Sequence, residues 1–368
     1  MYNWFKAGLH ELGHRVTISS HEVHSQAINV FWENFLLGMG DRIKKTNVTY
    51  GIVTTEIPFG DSFNGRFDGH WPIRWKGFPE AASGASFIWT MVESTVPFYS
   101  QYAPTAFMEL GYSKFLLPKK TIENPDIDFS FFGLRTPYRE KVIAELEKKA
   151  KVLCPNKFLT SDEVEDLIAR TKVGLSFKQS EDWPIPSPTR LGRHLMAKRG
   201  LVTERTPVIT RQGELVSVAP ESSDFSSFAL EKLKTWKEDA ELAFERYRIE
   251  MPMSLIMANV LIKTGALTLC PRSAKRRPIQ IDLDPPKLLQ TICDVDIVYY
   301  NGRYFGVKQK LGEVDFTQDT DVLQELYKDD IIIAKSLLEV RLKVKFSLKA
   351  YFFKITSKLG SKISSWKG

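Results

Sequence analysis

The first residues in this chain that could do chemistry are the histidines close to its start. Residues 10–14, HELGH, match the HExxH pattern, in which two histidines one helical turn apart hold Zn²⁺ and the glutamate activates a bound water. That chemistry needs a helix that continues past the second histidine, whereas Gly13 predicts a helix end. We therefore expect a helix that ends at Gly13 and a strand over Val16 to Ser20, with no metal site.

Acidic side chains follow several of the predicted strands. Glu56, Glu93 and Glu204 each come directly after an apolar, β-branched run, and His21 follows another. Ligands of open parallel sheets bind at the carboxyl ends of the strands. The pattern predicts the polar lining of a crevice between two α/β domains. For any one of these residues, an exposed side chain at the start of a loop is the alternative.

Two helix starts of the same design occur in the second half of the chain. Thr136-Pro137 and Ser187-Pro188 each place a hydroxyl residue at the N-cap and proline at the first helical position. The flanking arginines are Arg135, Arg139, Arg190 and Arg193. Free N–H groups at a helix start and bidentate guanidinium groups both favour phosphate. The pair predicts a diphosphate-binding site, and capped surface helices with solvated arginines are the alternative.

Alternating strands and helices position these residues. The predicted strands are 16–20, 48–55, 86–92, 127–132, 172–178 and 201–203. The predicted helices are 102–110, 161–170, 230–247 and 253–262, together with the first one and those that start at Thr136 and Ser187. Such alternation predicts parallel sheets covered by helices.

The chain is expected to divide into four parts. Residues 1–117 form one α/β domain, and a Pro- and Lys-containing linker leads to a second over 118–270. Residues 271–340 are an extension with a β-hairpin turning at Asn301-Gly302, the strongest short hairpin signal. Residues 341–368 form a separate basic tail.

Composition narrows the class of protein. The 368 residues are 43% hydrophobic, and the three cysteines show neither paired nor metal-ligand spacing, which predicts a reducing compartment. No apolar run suits a membrane span and the N-terminus lacks a signal-peptide pattern, so a cytoplasmic protein is expected. The net charge of +7 comes from the tail, where Arg341 and seven lysines occur without an acid. A body with balanced charge argues against nucleic-acid binding.

Several segments resemble bacterial GT-B glycosyltransferases of the surface-polysaccharide type. They are LGHRVTISS, YGIVTTE, LGYSKFLLP, DIDFSFFGLRTPYRE and RTKVGLSFKQSEDWPIPSPTRLGRHLMAKRGLVTE. The similarity runs from the first helix to about Ile262 and does not cover 271–368. It implies two Rossmann-like domains facing a cleft, the first without its opening strand, followed by a C-terminal extension.

The resemblance also implies a function: transfer of a sugar from a nucleotide-sugar donor to a hydroxyl of a glycan or lipid-linked acceptor in cell-surface glycan assembly. Gly133, Arg135, Thr189, Arg190 and Glu204 would surround the donor. Glu56, Glu93 or His21 would act on the acceptor hydroxyl, with no cofactor and no metal. Gly192 and Arg193 stand where related enzymes carry a donor-binding acid, so a non-catalytic relic that binds a glycan or a partner is the alternative.

The tail carries its own prediction. Phe352, Ile355, Leu359 and Ile363 share one helical face, and Lys354, Lys358 and Lys362 line another. A basic amphipathic helix suits an anionic membrane surface and predicts peripheral attachment at the inner face of the membrane. A helix docked on the protein itself, with solvated lysines, is the alternative.

Overall fold

The computed structural model describes residues 1–344 with gaps. The larger gaps are 270–278 and 281–286, and the shorter ones are 21, 34, 36, 68, 70, 158, 222–223, 301–302, 312–313, 315, 317–322 and 325–326. The hairpin turn Asn301-Gly302, His21 and the tail beyond Val344 therefore lie outside the described residues.

The helices and strands follow one another in a mixed order. The helices are α1 Tyr2–Glu11, α2 Met39–Thr46, α3 Trp71–Ala82, α4 Val96–Tyr99, α5 Pro137–Glu147, α6 Ser161–Ala169, α7 Pro188–Met196, α8 Phe225–Lys232, α9 Trp236–Glu250 and α10 Met253–Lys263. The strands are β1 Glu22–Val23, β2 Asn29–Trp32, β3 Tyr50–Thr54, β4 Pro58–Phe59, β5 Ser62–Phe63, β6 Ile88–Thr90, β7 Thr105–Phe107, β8 Ile127–Ser130, β9 Val152–Leu153, β10 Thr171–Ser176, β11 Gly200–Thr203, β12 Ser217–Val218, β13 Ile279–Gln280, β14 Lys287–Ile292, β15 Val295–Tyr300, β16 Arg303–Lys308 and β17 Ile331–Ala334.

The chain forms two compact units. One, here called the five-strand unit, comprises Met1–Ile18, Met91–Glu93 and Ala106–Leu267. The other, here called the mixed unit, comprises Ser19–Thr90, Ser94–Thr105 and the described residues from Thr268 onward. Helix α1 thus belongs to the same unit as residues Ala106–Leu267.

The five-strand unit is built on a parallel sheet. Its strand order is β12-β11-β10-β8-β9, and every neighbouring pair runs parallel. The central strand β10 is buried along almost its whole length, as expected when helices cover both faces of a sheet. The α/β prediction is confirmed here, and the helix starts at Thr136 and Ser187 were placed correctly.

The mixed unit contains a second parallel arrangement. Its strands lie in the order β2-β3-β6-β7, with β2 parallel to β3 and β3 parallel to β6. All five residues of β3 are buried. Gly51 is required in this strand, because a Cβ there would lie 2.1 Å from the Phe87 ring. The prediction of two α/β units with parallel sheets is therefore confirmed.

Two predicted elements are wrong. Val16 to Ser20 forms no strand, and the strands that follow are β1, which pairs antiparallel with β13, and β2. Residues 102–110 were predicted as a helix but contain β7. Val16 to Ser20 has no neighbouring strand among the described residues, whereas β7 lies beside β6, so the presence of a partner in the sheet decided each case against local preference.

The HExxH pattern does not form one helical face. Helix α1 ends at Glu11, and Gly13 adopts a left-handed φ of 84°, so His14 lies beyond the helix. The Glu11 carboxylate accepts a hydrogen bond from the Ser113 hydroxyl. The His10 ring packs edge-on against Phe115. These residues are held by packing within the five-strand unit.

The extension is an antiparallel sheet in the order β14-β15-β16-β17. Strands β15 and β16 pair in the register expected for the predicted hairpin, with Tyr300 opposite Arg303. A helix over residues 337–344 follows, and its Val340 and Val344 are buried against the sheet. Within the part of the chain that is described, no helix is both long and apolar enough to cross a membrane.

Candidate active site

The carboxyl end of β8 and the starts of α5 and α7 form a polar cluster in the five-strand unit. The Thr136 hydroxyl caps α5 by accepting a hydrogen bond from the Arg139 N–H, and Pro137 occupies the first helical turn. Ser187 is the N-cap residue of α7 but its side chain makes no cap bond. The two helix starts bring Arg139 and Arg190 to the aromatic residues that follow β8.

Arg139 is a buried cation that is bonded only to backbone oxygens. Its Nη1 donates to Leu134 O at 2.7 Å, its Nε to Lys178 O at 2.9 Å and its Nη2 to Phe177 O at 3.1 Å. The guanidinium carbon lies 5.1 Å from the centre of the Phe131 ring. These contacts fix the group in place without neutralising its charge.

Arg190 is a second buried cation, and it is only partly bonded. Its Nη2 and Nε donate to the same oxygen, Phe132 O, at 2.9 and 3.3 Å. Its guanidinium carbon lies 4.6 Å from the centre of the Phe131 ring. Its Nη1 is buried without a hydrogen-bond partner in the described structure. A buried charged donor without a partner is costly, which points to a ligand that completes the site.

The two guanidinium groups make this cluster strongly electropositive. The pKa of Arg190 is lowered to about 9, first by burial and then by the charge of Arg139. Burial likewise lowers the pKa of Arg139 to about 10, opposed by the charge of Glu204. Neither arginine forms an ion pair with any residue that the structure describes. An anion between or beside them would relieve both penalties.

Gly133 leaves room for Arg190. Its φ of 132° lies in the range that L side chains rarely adopt. A Cβ at this position would lie 2.9 Å from Arg190 Nη2. Glycine therefore allows both the turn after β8 and the approach of the guanidinium.

The other residues predicted at the donor have internal partners. Arg135 forms a two-pronged ion pair with Glu140 and donates to Cys154 O. The Glu204 carboxylate accepts from the Tyr138 hydroxyl and from Lys178 N, both at 2.6 Å. Thr189 is half-buried beside Ser187, with 3.4 Å between the two hydroxyl oxygens. Of the five predicted donor residues, the structure brings Gly133 and Arg190 together most directly.

A second polar cluster lies in the mixed unit, at the carboxyl ends of β2 and β3. Glu56 follows β3 and is almost fully buried. Its Oε1 lies 2.5 Å from Arg74 Nη2, and its Oε2 accepts from the Asn64 side chain. The Tyr99 hydroxyl donates to the backbone oxygen of Glu56 at 2.8 Å. Glu56, which the sequence predicted as a site residue, is thus a buried carboxyl group with hydrogen-bond partners inside this unit.

Glu33 is the partner carboxylate that sequence reasoning missed. It follows β2 directly, at the same edge of the parallel sheet as Glu56, and has a left-handed φ of 44°. Its Oε2 lies 3.7 Å from Arg74 Nη2, so one guanidinium lies beside both carboxylates. Its Oε1 accepts hydrogen bonds from the backbone N–H and the hydroxyl of Thr55. The rule that found Glu56 would have found Glu33 had β2 been recognised as a strand.

The pKa of Glu56 is raised to about 7, first by burial and then by the charge of Glu33. The charge of Arg74 and the hydrogen bonds from Asn64 and Arg74 oppose that change. With a pKa of about 7, the Glu56 carboxyl group is largely protonated at slightly acidic pH. A carboxyl group with a pKa close to neutrality can both accept and release a proton.

The other two predicted acceptor-side residues are Glu93 and His21. Glu93 is exposed at the start of a short 3-10 helix and belongs to the five-strand unit. His21 lies outside the described residues.

No protein-family model matches this chain, and no curated protein does. Similarity to solved structures extends over about two thirds of the chain. TarM is 11% identical with a TM-score of 0.42, over 66% of this chain and 55% of its own length. AviGT4, a glycosyltransferase involved in avilamycin A biosynthesis, is 9% identical with a TM-score of 0.39, over 60% and 68%. An E. coli structure of trehalose-6-phosphate bound with UDP-2-fluoro glucose is 10% identical with a TM-score of 0.48, over 74% and 79%.

This chain spans only 55% of the length of TarM. At 9–11% identity and TM-scores below 0.5, these likenesses assign neither a substrate nor a reaction to the chain. Any inference about function therefore depends on the chemistry of the two clusters.

Proposed function

We propose that the chain is a glycosyltransferase that binds the diphosphate of a nucleotide sugar at the Arg139–Arg190 pair. One observation carries this proposal: among the described residues, two buried guanidinium groups at the carboxyl end of a parallel sheet form no ion pair with a carboxylate, and Arg190 Nη1 has no hydrogen-bond partner. Ligands of parallel sheets bind at this edge, and guanidinium groups match phosphate oxygens. The roles in glycosyl transfer that are proposed below depend on diphosphate binding at this arginine pair.

In the proposed reaction, the bond between the anomeric carbon and the diphosphate oxygen breaks, and the diphosphate leaves with the electron pair. The acceptor hydroxyl oxygen forms the new bond to that carbon, and its proton passes to the Glu56 carboxylate. Arg139 and Arg190 would stabilise the charge that develops on the leaving diphosphate. The pKa of Glu56, raised to about 7, suits a proton acceptor at neutral pH.

We propose that transfer needs no metal ion and no cofactor. The support is the charge of the arginine pair, because two guanidinium groups supply the positive charge that divalent cations often supply to leaving diphosphates. Activity should therefore persist in EDTA. Loss of activity in EDTA, with recovery on addition of Mg²⁺ or Mn²⁺, would contradict this part of the proposal.

A non-catalytic binding protein is the second candidate, and a specific observation favours it. Arg135 and Glu204, which the resemblance placed at the donor, are both held by internal partners. Such a protein would bind a nucleotide or glycan at the arginine pair and transfer nothing.

Release of free nucleotide from UDP- and GDP-sugars separates the two candidates. A glycosyltransferase releases UDP or GDP faster in the presence of an acceptor glycan, and Glu56→Gln abolishes that increase without weakening nucleotide binding. Arg170→Met is a matched control, because Arg170 is an exposed arginine of the same unit that pairs with Asp126. Nucleotide binding without release at any acceptor concentration would favour the binding protein.

For the tail, we propose attachment to an anionic membrane surface, which would place the enzyme beside lipid-linked acceptors of cell-surface glycan assembly on the cytoplasmic side. The support is the spacing of apolar and basic residues over 352–363. Arg341 and Lys343 are not part of that surface, since they contact Gln290 and Glu339 within the extension.

A further inference from the structure

A cavity of about 520 Å³ lies in the five-strand unit, formed by helix α1, residues 114–120 and helices α6 and α7. It shares no lining residue with the arginine pair or with the aromatic residues after β8. Its volume is in the range of small-molecule sites. The proposed transfer reaction makes no use of it.

The lining of this cavity combines an apolar floor with an excess of cations. The apolar part is Trp4, Phe115, Leu116, Leu117, Ile168 and Met196. The cations are Lys6, Lys119, Lys120, Arg193 and Arg199, against the two acids Asp162 and Glu165. Phe115 and Leu117 are 52% and 44% exposed, which is high for side chains of this size.

Two of the five cations already have partners. Lys120 pairs with Asp166 at 2.8 Å. Arg199 donates to three backbone oxygens, those of Ile122, Ile168 and Ala169. Both are therefore accounted for by the fold.

The other three cations have no carboxylate partner. Lys6, Lys119 and Arg193 form no ion pair with the residues that the structure describes. Arg193 is partly buried and its only hydrogen bond goes to the Ser161 hydroxyl, at 3.2 Å. The nearby acid Glu165 accepts from the backbone N–H of Lys119, not from its ammonium group. Burial lowers the pKa of Arg193, and the charge of Glu165 opposes that change without forming an ion pair with it.

We propose that this cavity binds an anionic amphiphile: a phosphate monoester head held by Lys6, Lys119 and Arg193, with an apolar chain lying on Phe115, Leu117 and Met196. Three unpaired cations match a doubly charged phosphate better than a single carboxylate. The exposed aromatic and aliphatic side chains would be covered by the chain of the ligand. A concave site of this volume takes single molecules and not a membrane surface.

The test is calorimetric titration of the full chain with three probes. Dodecyl phosphate, used below its micelle concentration, carries both features of the ligand. Inorganic phosphate carries the charge alone, and dodecyl maltoside carries the chain alone. We expect dodecyl phosphate to bind at least about tenfold more tightly than either of the others. Equal affinity for inorganic phosphate, equal affinity for dodecyl maltoside, or no binding of dodecyl phosphate would overturn the proposal.

Three variants, one of them a control, locate the binding. The double variant Lys6→Gln/Lys119→Gln should weaken dodecyl phosphate binding about tenfold, since both lysines are exposed and their replacement spares the core. Lys44→Gln/Lys45→Gln in α2 removes the same charge from the mixed unit and should change nothing. Phe115→Ser should weaken dodecyl phosphate and leave inorganic phosphate unchanged. If the two double variants bind alike, the ligand is held elsewhere and the assignment of this cavity is wrong.

Discussion

Replacing Arg190 by methionine should separate the stability of the five-strand unit from its affinity for a diphosphate. Methionine fills a similar volume beside Phe131 and carries no charge. The guanidinium of Arg190 is 6% exposed, shares one carbonyl oxygen between two of its nitrogens and leaves the third without a partner. Burying this guanidinium destabilises the folded state, so its presence needs an explanation other than stability.

Two opposing contributions decide how this substitution changes the free energy of unfolding. Loss of the bonds to Phe132 O and of the contact with the Phe131 ring costs about 2–4 kcal/mol. Removing a desolvated charge that Arg139 repels stabilises the folded state by several kcal/mol. The free energy of unfolding should therefore change by no more than about 1 kcal/mol. Diphosphate binding should lose one charge-assisted contact, about 1.5–3 kcal/mol, which is roughly a 10- to 150-fold rise in Kd.

Urea unfolding and calorimetric titration with UDP, GDP and pyrophosphate measure the two quantities on the same protein. Arg170→Met is the control and should alter neither by a measurable amount. The reasoning is refuted if Arg190→Met unfolds the unit while Arg170→Met does not, because Arg190 would then be a structural residue. It is equally refuted if both variants bind the nucleotides as tightly as the unaltered chain.

Further predictions concern single residues and the tail. Arg135→Met should weaken UDP binding less than about threefold, because its guanidinium is already paired with Glu140. Gly133→Ala should lower the free energy of unfolding by about 1–3 kcal/mol in urea titrations, because alanine is strained at a φ of 132° and crowds Arg190. For Glu56, the folded pKa of about 7 lies above the unfolded value of 4.5, so its contribution to stability is present below pH 4.5 and is lost as the pH rises through 7. Between pH 4.5 and 8, the free energy of unfolding of the unaltered chain should therefore fall relative to that of Glu56→Gln by on the order of 3 kcal/mol. If the difference between the two proteins is the same at both pH values, the raised pKa is contradicted. A chain ending at Val344, which keeps the buried Val340 and Val344, should lose co-sedimentation with anionic vesicles at low salt; full-length protein left in the supernatant would dismiss the membrane proposal.

The parts of the fold that could be predicted from sequence depend on local chemistry. The hydroxyl-proline pairs at Thr136 and Ser187 fix helix starts through their own backbone and side chains. The hairpin strands around Asn301-Gly302 were found because turn type sets their register. In each case the signal and the structure lie within a few residues of each other.

Elements that depend on a distant partner could not be predicted in this way. Val16 to Ser20 has strand-like composition but pairs with no strand, whereas Asn29–Trp32 is a strand because it lies beside β3. The same limit applies to the carboxyl cluster. Glu56 was found from its place after a strand, but Arg74 comes from the first turn of α3 and Asn64 from a turn, so only the folded chain brings them to it.

The arginines illustrate why residue type and spacing do not settle a role. Four arginines flank the two helix starts, and all four look alike in sequence. The fold gives Arg135 a carboxylate partner and leaves Arg193 beside the cavity, while it buries Arg139 and Arg190 against one aromatic ring. The difference lies in where each charge is compensated, which is a tertiary property.

The two clusters balance charge in opposite ways, and the contrast bears on what each can do. At Arg139 and Arg190 the described fold supplies two cations without an ion-paired carboxylate, and only the charge of Glu204 partly offsets that of Arg139, so a negatively charged ligand would complete the site. At Glu33 and Glu56 it supplies two acids and one cation, and the raised pKa of Glu56 favours a proton on that carboxyl group. A fold selected for stability alone would pair these charges or replace them with apolar side chains, since buried ions stabilise little even when paired. The proposed function would explain both features: the arginine pair binds the anionic leaving group, and the Glu56 carboxylate takes up the proton of a hydroxyl.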